Sequence, residues 1–95
     1  MPKYVIERII PEAGKLSQRD LVAIATKSNK VLREMGPGIQ WQQSYVTKDR
    51  IYCVYVAENE ALIKEHGKKG EFPVTNIQEV SEIIDPATSE WQVAK

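Results

Sequence analysis

Residues 38–57, GIQWQQSYVTKDRIYCVYVA, constrain the fold of this chain most strongly. The runs 40–47 and 50–57 are rich in aromatic and β-branched residues, and the pair Lys48-Asp49 separates them. This composition is typical of two strands joined by a tight turn. The segment therefore predicts a β-hairpin.

The second strand of this hairpin carries apolar or polarisable side chains on both faces. Because side chains alternate along a strand, one face is formed by Ile51, Cys53 and Tyr55 and the other by Tyr52, Val54 and Val56. A two-layer domain of this size has helices for only one face, so the other is expected to contact a second copy of the chain or a ligand. We expect a homodimer through the open sheet face, and we assign Ile51 and Tyr55 to that face.

A strand and a long helix are predicted ahead of the hairpin. Residues 3–9 (KYVIERI) read as a strand closed by a Pro-containing and Gly-containing turn. Ser17 and Asp20 have the spacing of a helix capping box, and Gly36-Pro37-Gly38 ends the helix. Its apolar stripe follows helical spacing and comprises Leu21, Ile24, Ala25, Ser28, Val31, Leu32 and Met35.

A second helix and a last strand are predicted after the hairpin. Asn59 can cap a helix that runs to about Lys69, and residues 76–84 read as a strand. The order βαββαβ predicts an α+β fold, the ferredoxin-like sandwich, with a four-stranded antiparallel sheet and two helices on one face. We expect residues 1–86 to form this single domain and residues 87–95 to form a C-terminal tail.

Composition excludes several functional classes. The 95 residues contain 13 basic and 13 acidic side chains, so there is no basic footprint for nucleic acid. The sequence has no apolar run of the length of a signal peptide or a membrane span, and we expect a cytoplasmic protein. A single cysteine excludes an intrachain disulfide and any CxxC motif.

Three blocks of the sequence resemble a known family. WQQSYV (41–46), DRIYCVYVA (49–57) and EHGKKGEFP (65–73) are similar in type and spacing to small bacterial proteins described as nickel-binding or nickel-responsive, and the resemblance extends over residues 3–86. It implies a ferredoxin-like fold, a homodimer formed through the open sheet faces, and divalent-metal binding in some members.

The residue types available for a nickel site are few. Ni(II) favours imidazole and thiolate ligands with carboxylates beside them, so we propose His66, Cys53 and Glu7 as candidate ligands. Each has an alternative role. Glu7 can pair with Arg8, Lys3 or a hydroxyl of a facing subunit; His66 can be an imidazolium stabilised by a helix C-terminus; Cys53 can be a small buried hydrophobe.

The sequence therefore predicts a small divalent-metal (nickel) binding protein that acts as a homodimer and favours a non-catalytic role. Two alternatives remain open. One is a cofactor-free small-molecule enzyme of the dimeric α/β-barrel type, similar to a monooxygenase or an isomerase, and the other is a non-catalytic sensor or scaffold dimer. Nucleophilic hydrolysis is not supported, because the chain has one histidine and no nucleophile motif. Trp91 is expected to be either unstructured or packed against the partner subunit.

Overall fold

The computed structural model describes residues 1–93 and has the predicted α+β architecture. Four antiparallel strands form one sheet in the order β2-β3-β1-β4, and two helices cover one face. The ferredoxin-like fold predicted from the sequence is confirmed. The elements are β1 (Lys3–Ile9), α1 (Gln18–Met35), β2 (Ile39–Val46), β3 (Arg50–Ala57), α2 (Glu60–Gly70) and β4 (Asn76–Glu79), with short 3-10 helices at Ala13–Lys15 and Pro86–Glu90.

The helices begin and end where the sequence signals predict. The Ser17 hydroxyl accepts from the backbone N–H of Asp20, and the Asp20 carboxylate accepts from the backbone N–H of Ser17. Asn59 caps α2 by accepting from the backbone N–H of Leu62. At the other end of α1, Gly36 has a φ of 86°, a backbone conformation that a side chain would strain. These local interactions satisfy backbone groups at the helix ends.

The sheet has a buried face and an open face, and one residue-level assignment made from the sequence is wrong. Ile51 is 5% exposed and Tyr55 2% exposed, so both lie in the core under the helices rather than on the open face. The open face carries the alternate residues of the central strands, among them Val5, Glu7, Tyr52, Val54 and Val56, which are half-buried in one chain. Alternation separates the two sets correctly but does not decide which set the helices cover.

A β-bulge changes the alternation in β2. Trp41 pairs with Tyr55, and the next residue in register, Gln43, pairs with Val54. Because of the extra residue, both Trp41 and Ser44 lie on the helix side, where the Trp41 indole N–H donates to the Ser44 hydroxyl at 2.9 Å. The bulge thus adds a polar group to the buried face.

The last strand is shorter than predicted. β4 ends at Glu79, not at residue 84, and the backbone N–H of Val80 makes the final bond to the sheet, at the carbonyl of Lys3. Beyond this point β1 has no residues left to pair with, so the apolar stretch 83–84 leaves the sheet although its composition suits a strand. Residues 94–95 of the predicted tail lie outside the described residues. No helix in residues 1–93 is long and apolar enough to cross a membrane.

Candidate functional site

A pocket of about 280 Å³ lies between α1 and the buried face of the sheet, and we call it the helix-side pocket. Apolar residues form most of its wall, including Leu21, Ile24 and Ala25 from α1 and Trp41, Ile51 and Phe72 from elsewhere. Ser28, Ser44, Cys53, Tyr55 and Arg8 supply its polar groups. A mostly apolar cavity with a few convergent polar groups is the usual form of a small-molecule site.

Arg8 is the charged residue of this pocket. It lies on the central strand β1, is 3% exposed, and points to the helix side. Its Nε donates to Cys53 Sγ at 3.4 Å, and its Nη1 donates to the carbonyl of Pro73 at 2.9 Å. Its Nη2 has no hydrogen-bond partner, and none of the ion pairs among residues 1–93 includes Arg8. A buried guanidinium without a carboxylate is costly and needs an explanation.

His66 lies behind the pocket, on the inward face of α2, and is 1% exposed. Its Nε2 shares a hydrogen bond of 3.1 Å with the hydroxyl of Ser28 on α1, whereas its Nδ1 is buried without a partner. The ring stacks on Phe72 at 5.5 Å and tilts against Tyr55 at 5.2 Å between centroids. His66 therefore ties the two helices to the sheet.

The imidazole of His66 is neutral at physiological pH. Burial, with a further contribution from the positive charge of Arg8, lowers the pKa of His66 to about 4. The alternative that His66 is an imidazolium stabilised by the end of a helix is therefore wrong. A neutral imidazole is the form that can ligate a metal.

Glu7 lies on the opposite side of the sheet from Cys53 and His66. Its carboxylate accepts a hydrogen bond from Arg50 Nη1 at 2.6 Å, in an ion pair whose side chains are 24% and 29% exposed. The expectation that this carboxylate has a cationic partner is thus met, but by Arg50 on β3. Arg8, one of the partners considered from the sequence, points to the other face.

The three predicted metal ligands do not converge in one subunit. Cys53 and His66 are on the helix side, Glu7 is on the open face, and the sheet separates them. Within residues 1–93, no three His, Cys, Asp or Glu side chains form a group that could hold a metal ion. A site built from all three would have to draw on both faces of the sheet.

Arg8 and Ser28 are buried polar residues of the pocket that were not predicted from the sequence. Ser28 was assigned to the apolar stripe of α1 by its spacing, and its hydroxyl is indeed on the buried face. Arg8 was considered only as a partner for Glu7. The alternation of KYVIERI carried the missing signal, because it places Arg8 on the same face as the apolar residues Tyr4 and Ile6.

The family to which the chain belongs follows from comparison with known protein families. Residues 4–80 match the family described as nickel responsive protein SCO4226-like. The chain belongs to this SCO4226-like family. The resemblance seen in the sequence blocks is therefore confirmed.

A solved structure agrees with the SCO4226-like assignment. The crystal structure of SCO4226 from Streptomyces coelicolor A3(2) superposes with a TM-score of 0.73 at 12% identity, covering 86% of this chain and 99% of that chain. At this identity the likeness shows the fold. Among curated proteins, none matches the chain.

The donor atoms on the helix side of one subunit do not suit a nickel ion. His66 offers an unpartnered ring nitrogen, but the nearest thiol, Cys53, has the guanidinium of Arg8 against its sulfur. A fixed positive charge at that distance opposes a divalent cation. The described residues of one subunit of this SCO4226-like protein therefore do not fit a nickel ion on the helix side.

Proposed function

We propose that this protein is a homodimer that binds Ni(II), or another divalent transition metal ion, with ligands drawn from two subunits. Membership of a nickel-responsive family supports the metal. The observation that carries the arrangement is the open face of the sheet, where Val5, Tyr52, Val54 and Val56 form an apolar strip between polar side chains while both helices pack on the opposite face. Two copies joined through this face would double every potential ligand.

The composition of the open face supports a second copy of the chain as its occupant. Val5 and Val54 are directly paired across the two central strands, and Tyr52 and Val56 continue the apolar surface along β3. Tyr45, opposite Tyr52, is 56% exposed in one chain. Covering a contiguous apolar surface of this kind removes it from water and favours association by about 25 cal/mol for each Å² of apolar area buried.

The segment after β4 is also consistent with a dimer. The Cα radius of gyration is 15.2 Å, whereas a compact chain of this length has about 12 Å. The longest dimension is 50 Å. Residues beyond the sheet account for several exposed apolar side chains: Ile83 at 55%, Ile84 at 74%, Trp91 at 52% and Val93 at 85%. A second subunit would give this segment an apolar surface to pack against, which is the role proposed for Trp91.

Among the candidate ligands, Glu7 is the one that such a dimer would place at the interface. It lies in the middle of the open face, paired in register with Tyr52 on one side and Asn76 on the other. His66 and Cys53 lie on the helix side of each subunit, where the guanidinium of Arg8 beside the Cys53 sulfur opposes a divalent cation. A metal at Glu7 would compete with Arg50 for the carboxylate.

Calorimetric titration of tag-free, metal-free protein with Ni(II) tests this proposal. We expect saturable binding that falls at least about tenfold in Glu7→Gln, because the amide removes the ligand charge while preserving the shape. Glu12→Gln is the matched control, since Glu12 is an exposed carboxylate in the turn after β1 and its loss should leave the affinity unchanged.

Two variants locate the alternative site. If His66→Gln or Cys53→Ser weakens nickel binding while Glu7→Gln does not, the metal lies on the helix side and the two-subunit assignment is wrong. If the unmodified protein shows no saturable uptake of Ni(II), Co(II), Cu(II) or Zn(II), the metal proposal itself fails. Cu(II) is expected to bind more tightly than Ni(II) whichever metal the cell supplies.

A further inference from the structure

We propose that the helix-side pocket binds a small organic monoanion, a carboxylate attached to an apolar body, whose charge pairs with Arg8. The inference is independent of nickel binding, because it concerns the opposite face of the sheet and a ligand of opposite charge. Two observations support it: Arg8 is a buried cation without an anionic partner, and a cavity lies beside it.

The charge of the pocket is positive and uncompensated. Within residues 1–93, no Asp or Glu lines the pocket, and Arg8 is bonded only to a thiol sulfur and a backbone carbonyl. The ring of Phe72 lies 5.6 Å from the guanidinium carbon of Arg8, and Lys27 Nζ lies 5.5 Å from the same ring. Aromatic faces compensate a cation only in part. A bound anion would remove the remaining cost of burying the charge.

The neutral groups around Arg8 suit a carboxylate. Ser28, Ser44 and Tyr55 contribute hydroxyl groups to the pocket. A phenolic hydroxyl such as that of Tyr55 can donate a hydrogen bond to an anion. Because Arg8 is the one cation lining the described pocket, a ligand with a single negative charge matches it better than a dianion such as a phosphate monoester.

The apolar wall and the volume of the pocket determine the size and polarity of the ligand body attached to the carboxylate. Its wall is mainly apolar, from Leu21 and Ile24 on α1 to Trp41 and Ile51 on the sheet. The volume of about 280 Å³ is just below the range of about 300 to 1,000 Å³ usual for ligand pockets. The ligand class is therefore a carboxylate that carries one ring or a short alkyl chain.

The test uses three carboxylates and one neutral analogue: benzoate, cyclohexanecarboxylate, hexanoate and benzamide. Binding to the full chain is followed by NMR, through the amide shifts and the indole signal of Trp41. We expect at least one carboxylate to saturate and benzoate to bind about tenfold more tightly than benzamide, since the amide has the same shape without the charge. Arg8→Met should abolish this preference, and Arg8→Lys should keep part of it.

Arg33→Met is the matched control, because Arg33 is exposed on α1 and its loss should not change the preference. Arg8→Met removes a buried charge and keeps an apolar stem but leaves the Pro73 carbonyl without its donor, so circular dichroism checks its fold. If Arg8→Met does not fold, Arg8→Lys provides the test. Lysine cannot hold a carboxylate in bidentate geometry, so we expect weaker benzoate binding and unchanged benzamide binding.

Three results would overturn the proposal. One is the absence of saturable binding by all three carboxylates, and the second is an equal affinity for benzoate and benzamide in the unmodified protein. The third is a thiolate absorbance in the unmodified protein at neutral pH that disappears in Arg8→Met, because it would mean that Cys53 already neutralises Arg8. These three results concern the pocket alone, so they have the same meaning whether or not the protein binds nickel.

Discussion

Replacing Val54 with arginine is expected to convert the proposed dimer into a folded monomer. Val54 is half-buried at the centre of the open face, directly opposite Val5. In the proposed dimer the new guanidinium would lose its hydration against the facing subunit without gaining an anionic partner. We expect the dimer dissociation constant to rise at least about 100-fold, or about 2.7 kcal/mol, as measured by analytical ultracentrifugation.

Val22→Arg is the matched control for this experiment. Val22 is a valine on the outer side of α1, 64% exposed, so the same substitution there should leave both the fold and the dimer intact. Circular dichroism of Val54→Arg checks that the monomer keeps its helices and sheet. An unmodified protein that sediments as a stable monomer at micromolar concentration would contradict the open face as an interface.

The second large effect is a loss of stability in mild acid that depends on His66. The pKa of His66 is about 4 in the folded protein, against about 6.5 in an unfolded chain. Between these values the unfolded state binds the additional proton, so the free energy of unfolding falls as the pH is lowered. A shift of this size corresponds to a loss of about 3 kcal/mol by pH 4.

Comparison with His66→Gln isolates this contribution. Glutamine can keep a hydrogen bond to Ser28 but does not titrate, so its unfolding free energy should lack the component between about pH 6.5 and pH 4. Carboxylates such as Asp20 and Asp49 titrate equally in both proteins and cancel in the difference. Denaturant unfolding at one fixed protein concentration measures both curves, since the proposed dimerisation would make stability depend on concentration. A difference that does not change with pH would refute a buried neutral His66.

The local elements of this fold could be predicted because their signals are local. The capping groups at Ser17 and Asn59 act within one turn of their helices, and the strands of the hairpin alternate regularly up to the bulge. The extra residue between Trp41 and Gln43 had no sequence signal that we recognised, although it moves Ser44 to the buried face. The end of β4 was missed because it is set by where β1 begins, which is a property of the pairing.

The candidate site could be predicted only in part. Identifying His66 and Cys53 as unusual residues was straightforward, since each occurs once in the chain. Their relation to Glu7 required knowing which face of the sheet the helices cover, and β3 is apolar on both faces. Arg8 and Glu7 are adjacent in sequence and charged, so alternation assigns them to opposite faces without indicating which of them is buried. Packing against α1 and α2 settles that question, and it is a long-range property.

The most direct test of the proposed two-subunit metal site compares nickel titrations of the unmodified protein and of Val54→Arg. Unmodified protein, Val54→Arg and Val22→Arg would be titrated with Ni(II) under identical conditions, all without a tag. The proposal predicts that Val22→Arg binds like the unmodified dimer and that Val54→Arg binds at least about tenfold more weakly. A folded Val54→Arg monomer that binds nickel with the affinity and stoichiometry of the dimer would contradict it.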